Sequence, residues 1–277
     1  EIDLSKSKPV SRREKALFEA MAEPVEDLPV SEICRQPFKV EDFVVYTMLA
    51  RFKSSSAKEY LEKARYYVKN AWILRARLLV LPEAPQSCVL DESVLKTLSG
   101  ELAQGYFAVL AGTIAGGARK AFVIANGEPA QEIDSVGLAN SPNASSVKIA
   151  QLGSSIRLGA MFDEEIHVPE IARTAMLLGA DVMVYFDSSN GDSSLKAIKT
   201  RAAENKVFIA RSASAAGEDC SSITNPDGAR VTTTLRAEEH STAAYINTAL
   251  SKFKSVVPGT DIVKGRFPEL YGRLFSS

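Results

Sequence analysis

The chain is poor in the residues that most often carry chemistry, with two histidines, three cysteines and one tryptophan among 277 residues. Scarce histidine removes the usual acid–base group and the commonest metal ligand from most of the sequence. Cys34, Cys88 and Cys220 are scattered, without metal-ligand spacing, an even framework or a histidine in their sequence context. That usage fits a reducing compartment and a cytoplasmic location. Excess charge of one sign is also missing: 33 Lys and Arg stand against 34 Asp and Glu. A nearly balanced chain gives no electrostatic case for nucleic acid or an anionic membrane. No apolar run approaches the roughly 18 residues of a membrane helix, and no secretory apolar segment opens the chain. The acidic triplet Asp163-Glu164-Glu165 is contiguous. Adjacent side chains on a turn diverge, so neither a metal nor a cofactor is expected.

What is present is a core. Hydrophobic residues make up 45% of the sequence, enough for a sizeable α/β domain. Residues 1–38 read differently and are taken as an N-terminal arm or linker, with the domain over 39–277. Ser11 to Glu14 resembles a capping box, Ala16, Leu17, Ala20 and Met21 suit a short amphipathic helix, and Pro24, Pro29 and Pro37 favour extended chain. Two readings are open: an arm lying on the domain or a neighbour, or a tether to an upstream fused or partner domain. The chain opens on Glu1 rather than Met, as a processed form or a piece of something longer would. The Asn143 sequon therefore carries little weight.

The organising stretch is 156–186. Residues 156–162 are largely apolar, as a strand buried between layers would be. Acidic residues 163–165 then mark a helix start, Pro169 suits its first turn, and Gly179 ends it before a strand over 180–186. Upstream, strands are expected over 43–50 and 77–83 around a helix carrying Tyr60, Leu61, Ala64, Tyr67, Val68, Ala71 and Trp72 at helical spacing. A helix over about 92–104 follows, then strands over 107–114 and 121–125, turned at Gly116-Gly117 and followed by Asn126-Gly127. Downstream come a helix over 195–205, a strand over 207–211, small residues over 212–217 and a strand with a hairpin over 222–228. Strands over 231–235 and 241–246 are expected to finish the second sheet.

Several of these residues carry a resemblance. Phe162-Asp163 followed by Pro169-Glu170 resembles the nucleophile elbow of the nitrilase, or carbon–nitrogen hydrolase, superfamily, where a strand ends in Cys-aromatic-Asp and Pro-Glu opens the next helix. Leu81-Pro82-Glu83 resembles the motif whose glutamate is the family's general base. Arg201, Glu204 and Asn205 match a family Arg-Ala-x-Glu-Asn helix motif, and 266–271 is similar to a closing Arg-x-Pro-Glu-Leu-Tyr segment. The resemblance implies a four-layer αββα sandwich and a homodimer or higher homo-oligomer. Packing would run through the helix at Pro169 and the helix of Arg201 to Asn205.

The same resemblance exposes two departures. Aligned on Phe162-Asp163, the family cysteine becomes Met161; aligned on 133–138, the family lysine becomes Ser135. A thioether has no proton to lose, and attack through its sulfur would give a sulfonium rather than a thioester. The expectation is a protein that has lost hydrolysis and binds a small ligand in a remnant pocket, or serves as a regulatory or assembly module. The alternative is an active hydrolase or acyltransferase with a displaced nucleophile. Glu83 is then either a remnant base or a carboxylate capping a strand end. His167, Cys88, Cys220 and Lys148 are expected to play structural or surface roles.

Overall fold

The computed structural model describes residues 44–137, 146–153, 156–188, 192–213, 220–235 and 238–274. The expected arm, Cys34 and the sequon at Asn143 lie outside these residues. Two six-stranded sheets form the centre. The first has the order β12-β1-β2-β3-β4-β5 and the second β11-β10-β9-β8-β7-β6, with β6 at Ala150–Leu152 and β12 at His240–Asn247. The strands that shape the site are β1 (Val44–Arg51), β2 (Leu78–Val80), β3 (Phe107–Thr113), β4 (Arg119–Ala125) and β5 (Gln131–Asp134) in the first sheet. In the second they are β7 (Ile156–Phe162), β8 (Val182–Asp187), β9 (Phe208–Ala213), β10 (Ser222–Thr224) and β11 (Arg230–Thr233).

Period-2 alternation separates the layers. In β7, Ile156, Leu158, Ala160 and Phe162 join the apolar cluster shared by both sheets, while Met161 joins the cluster facing the helices. In β2, Leu78 and Val80 face the other sheet and Leu79 faces α1 (Ala57–Ile73). Three apolar layers therefore lie between four structural ones: helices, sheet, sheet, helices. This is the αββα sandwich expected from the sequence.

Helices form where caps and periodicity agree. The Ser56 side chain accepts from Glu59 N at the start of α1, and Asp91 does the same for Val94 N at α2 (Glu92–Ser99). Pro169 occupies the first turn of α3 (Pro169–Leu177), and α4 spans Asp192–Asn205. Gly179 follows α3 at φ +105°, a conformation other residues adopt only with strain.

One sheet assignment is corrected. Strand β12 (His240–Asn247) does not finish the second sheet. It pairs antiparallel with β1 over its whole length, Val44 opposite Asn247 and Arg51 opposite His240. Its alternating pattern suits either sheet, and the pattern carries no information about the partner.

Candidate functional site

The parallel pair β1–β2 and the parallel run β7–β8–β9 end on the same side of the sandwich, the usual position for chemistry in open α/β sheets. Glu83 lies three residues beyond β2. Arg119 opens β4, directly opposite Thr113 at the end of β3. Asp163 follows β7 at once. These three side chains meet. Arg119 donates from Nε and Nη2 to the two carboxylate oxygens of Glu83, a fork-to-fork contact. Its Nη1 donates to Asp163 Oδ2 at 2.5 Å. The guanidinium lies over the Phe162 ring, 4.9 Å from the centroid, and Phe162 stacks on Phe186.

Asp163 is the strained point of the turn. Its φ of +42° lies in the left-handed region, which aspartate tolerates better than most residues at a cost of about 1–2 kcal/mol. The surroundings over-determine it. Ser188 donates from its backbone N and its hydroxyl to Asp163 Oδ1, at 2.8 and 2.7 Å, and the Tyr185 hydroxyl donates to the Asp163 carbonyl at 3.0 Å. A strand running into a strained residue and then a tight helix is the geometry of a nucleophile elbow. Here the helix is a 3₁₀ turn over Asp163–His167.

Glu165 braces that elbow from beneath. Only 3% exposed, it accepts from Ser135 Oγ at 2.6 Å, Gly137 N at 3.0 Å and Phe162 N at 3.0 Å. Ser135 sits beside Arg119, donating its backbone N–H to the Arg119 carbonyl. Its hydroxyl serves Glu165 and points to a bracing role.

Burial opposes the charge on Arg119, but hydrogen bonds and proximity to Glu83 and Asp163 outweigh it and raise its pKa further. Burial likewise pushes Asp163 up, and the Ser188 hydrogen bonds and Arg119 overcome this to hold it below its ordinary value.

The residues singled out from sequence divide into those at this centre and those away from it. Glu83, Phe162, Asp163 and Ser135 lie in or beside it. Met161 does not: fully buried, its side chain packs with Ile166, Ile171 and other residues on the helix side, opposite in alternation to Phe162. At the family cysteine's position Met161 would belong beside Glu83; alternation along β7 sends its side chain to the helix face instead, and the left-handed residue of the turn is Asp163. Pro169 and Glu170 are exposed at the start of α3. Arg201 pairs with Glu204 at 2.5 Å and donates from Nε to the Ile166 carbonyl at 2.9 Å, tying α4 to the turn after the elbow. Asn205 is buried and donates to the Arg201 carbonyl. Lys148 pairs with Asp134 on the surface, His167 is exposed, and Cys88 is a buried free thiol whose pKa burial pushes up. Among the described residues no cluster of His, Cys, Asp and Glu could hold a metal ion. No described helix is long and apolar enough to cross a membrane.

Sequence reasoning missed Arg119. It follows the Gly116-Gly117 turn in an otherwise ordinary strand, and a single arginine there reads as surface. The available signal was the need of two carboxylates, Glu83 and Asp163, for a cation once no lysine was found at the motif.

The fold is that of the nitrilase-type hydrolases. The carbon–nitrogen hydrolase family model matches residues 112–250, half of the chain, and the protein belongs to that family. Among solved structures it is similar to Saccharomyces cerevisiae Nit3, described as a member of branch 10 of the nitrilase superfamily. The TM-score is 0.68 and the identity 16%, over 84% of this chain and 100% of that one. It is also similar to the amidase from Nesterenkonia sp. AN1. A doubly substituted form of that amidase in complex with acrylamide matches with a TM-score of 0.67 and 16% identity, over 86% and 99% of the two chains. Another substituted form, at the same TM-score and identity over 83% and 96%, carries the acetamide moiety of fluoroacetamide on its active-site cysteine. Among curated proteins no sequence match is found.

Proposed function

We propose that this protein has kept the carbon–nitrogen hydrolase fold and lost the hydrolysis, and that it acts as a ligand-binding, regulatory or assembly module. In this reading Asp163 stands at the elbow where the family has its cysteine, and Ser135 where it has its lysine. The observation that carries the reading is the single guanidinium of Arg119 joined to both Glu83 and Asp163. Family chemistry needs a thiolate to attack, a free carboxylate to move the proton and a cation for the oxyanion. Both oxygens of Glu83 accept from Arg119, both oxygens of Asp163 are also engaged, and the cation is already neutralised by the pair. Nitriles, amides and N-carbamoyl compounds should show no turnover and no acyl intermediate under hydroxylamine trapping. Steady hydrolysis that Glu83→Gln abolishes would overturn the proposal.

One observation favours a second reading, an active hydrolase or acyltransferase with a displaced nucleophile. The strained elbow position is held by a carboxylate, Asp163, which is itself a possible nucleophile. A hydroxamate located at Asp163 by mass spectrometry after trapping would establish it.

A homodimer or larger assembly is part of the same proposal. Phe267, Leu270 and Tyr271 are exposed near the C-terminal end of the described residues, an apolar group suited to a partner subunit. Analytical ultracentrifugation showing only monomer at micromolar concentration would remove this part.

A further inference from the structure

A cavity lies on the other face of the second sheet from Phe162. Arg211 of β9, Ser222 of β10 and Thr233 of β11 form one cross-strand row, Arg211 opposite Ser222 and Ser222 opposite Thr233. Their neighbours Ala210 and Ile223 belong to the cluster between the sheets, so this row faces outward toward α4. The row lines a cavity of about 260 Å³, walled by Leu195 of α4 and by Leu235, with Cys220 and Arg230 also contributing to its lining.

The chemistry of the lining is one-sided. Arg211, 1% exposed, is balanced by Asp187 at 2.6 Å, an ion pair with Ser194 bonded to the same carboxylate. Arg230 makes no ion pair to a described residue, and no carboxylate is among the described residues lining the cavity. The Ser222 side chain has no hydrogen-bond partner among the described residues, although the residue is only 2% exposed. Ser222 lines the cavity, so its hydroxyl is available to a ligand there. One surplus guanidinium, one waiting hydroxyl and two leucine walls describe a site for an anionic head on an apolar body. At ~30 Å³ for each water-sized group, the volume takes roughly eight non-hydrogen atoms.

We infer that this cavity binds a small carboxylic acid with a short alkyl chain, its carboxylate on Arg230 and Ser222 and its chain between Leu195 and Leu235. The site is independent of the Glu83–Arg119–Asp163 centre, and the inference stands whether or not that centre hydrolyses anything.

The test is titration calorimetry of the full 277-residue protein with acetate, butyrate, hexanoate and inorganic phosphate at constant ionic strength. A second readout is the rate at which iodoacetamide modifies Cys220, followed by peptide mass spectrometry. Affinity should rise about fourfold for each methylene buried, and hexanoate should protect Cys220. Arg230→Gln should weaken hexanoate at least about tenfold, the loss expected for a charged hydrogen-bonded pair. Arg230 is exposed on an edge strand, so the melting temperature of that variant should not move. Ser222→Ala should weaken binding by a smaller factor. No binding heat and no protection, affinity independent of chain length, phosphate as tight as hexanoate, or an unaffected Arg230→Gln would each overturn the inference.

Discussion

Arg119 and Asp163 come from different sheets, and their side chains meet with Nη1 2.5 Å from Oδ2. The same guanidinium holds Glu83, so one side chain neutralises two carboxylates that are 23% and 16% exposed. Replacing it with methionine leaves both unpaired beside an aromatic ring. Arg119→Met should cost about 2–4 kcal/mol, below the full penalty for a wholly buried pair because water still reaches the site. The urea midpoint should fall at unchanged m-value. In a double-mutant cycle with Asp163→Asn the two changes should couple by about 1–3 kcal/mol.

The acid limb of the stability profile should carry the mark of Asp163. Its folded pKa lies below the ordinary 3.8, with burial opposed and overcome by Ser188 and Arg119. A depressed carboxylate stabilises fully above its unfolded pKa. That contribution is lost as pH falls through the folded value, since the unfolded chain takes up the proton first. Asp181 acts with the opposite sign. Burial raises its pKa against the pull of Lys252, so its contribution is present below about pH 3.8 and lost as pH rises through the folded value. Urea melts from pH 3 to pH 7 should show a flatter acid limb for Asp163→Asn and a steeper one for Asp181→Asn.

Asp187 and Arg211 are almost wholly out of solvent, at 0% and 1% side-chain exposure. Removing one member strands the other, so Arg211→Leu should cost about 3–5 kcal/mol. Adding Asp187→Leu should recover part of that loss, because a buried pair replaced by apolar side chains no longer leaves a charge unpaired. Chemical denaturation of the two variants makes the comparison.

Gly179 should not tolerate alanine. Its φ is +105°, and an added Cβ would fall 2.1 Å from Nη1 of Arg157, whose guanidinium donates to the Leu178 carbonyl. Gly179→Ala should lower stability by at least about 1 kcal/mol through backbone strain alone. A melting temperature equal to that of the unchanged protein would contradict this account.

The layers were legible in the sequence because burial writes itself into periodicity. Helix α1 reads as amphipathic through Tyr60, Leu61, Ala64, Tyr67, Val68, Ala71 and Trp72; five of these are its buried residues, while Leu61 is half-buried and Trp72 is exposed. The turns at Gly116-Gly117 and Asn126-Gly127 were legible as well, since Gly116, Gly117 and Gly127 all take positive φ. The end of β7 at residue 162 was legible too, but the special backbone of the turn was not: its left-handed residue is Asp163, which carries no glycine-like signal. Arg119 was invisible because its role depends on Glu83 and Asp163, 36 and 44 residues away, converging from other elements. The partner of β12 was hidden for a similar reason, since nothing local in residues 240–247 distinguishes one sheet edge from the other.

That last pairing has a consequence for the order of events during synthesis. With Val44 joined to Asn247, strand β1 keeps a bare flank on that side until residues 240–247 have been synthesised. An unpaired strand edge is a template for wrong partners. The nascent polypeptide is therefore most exposed to misassembly and most in need of chaperone cover just before residues 240–247 emerge.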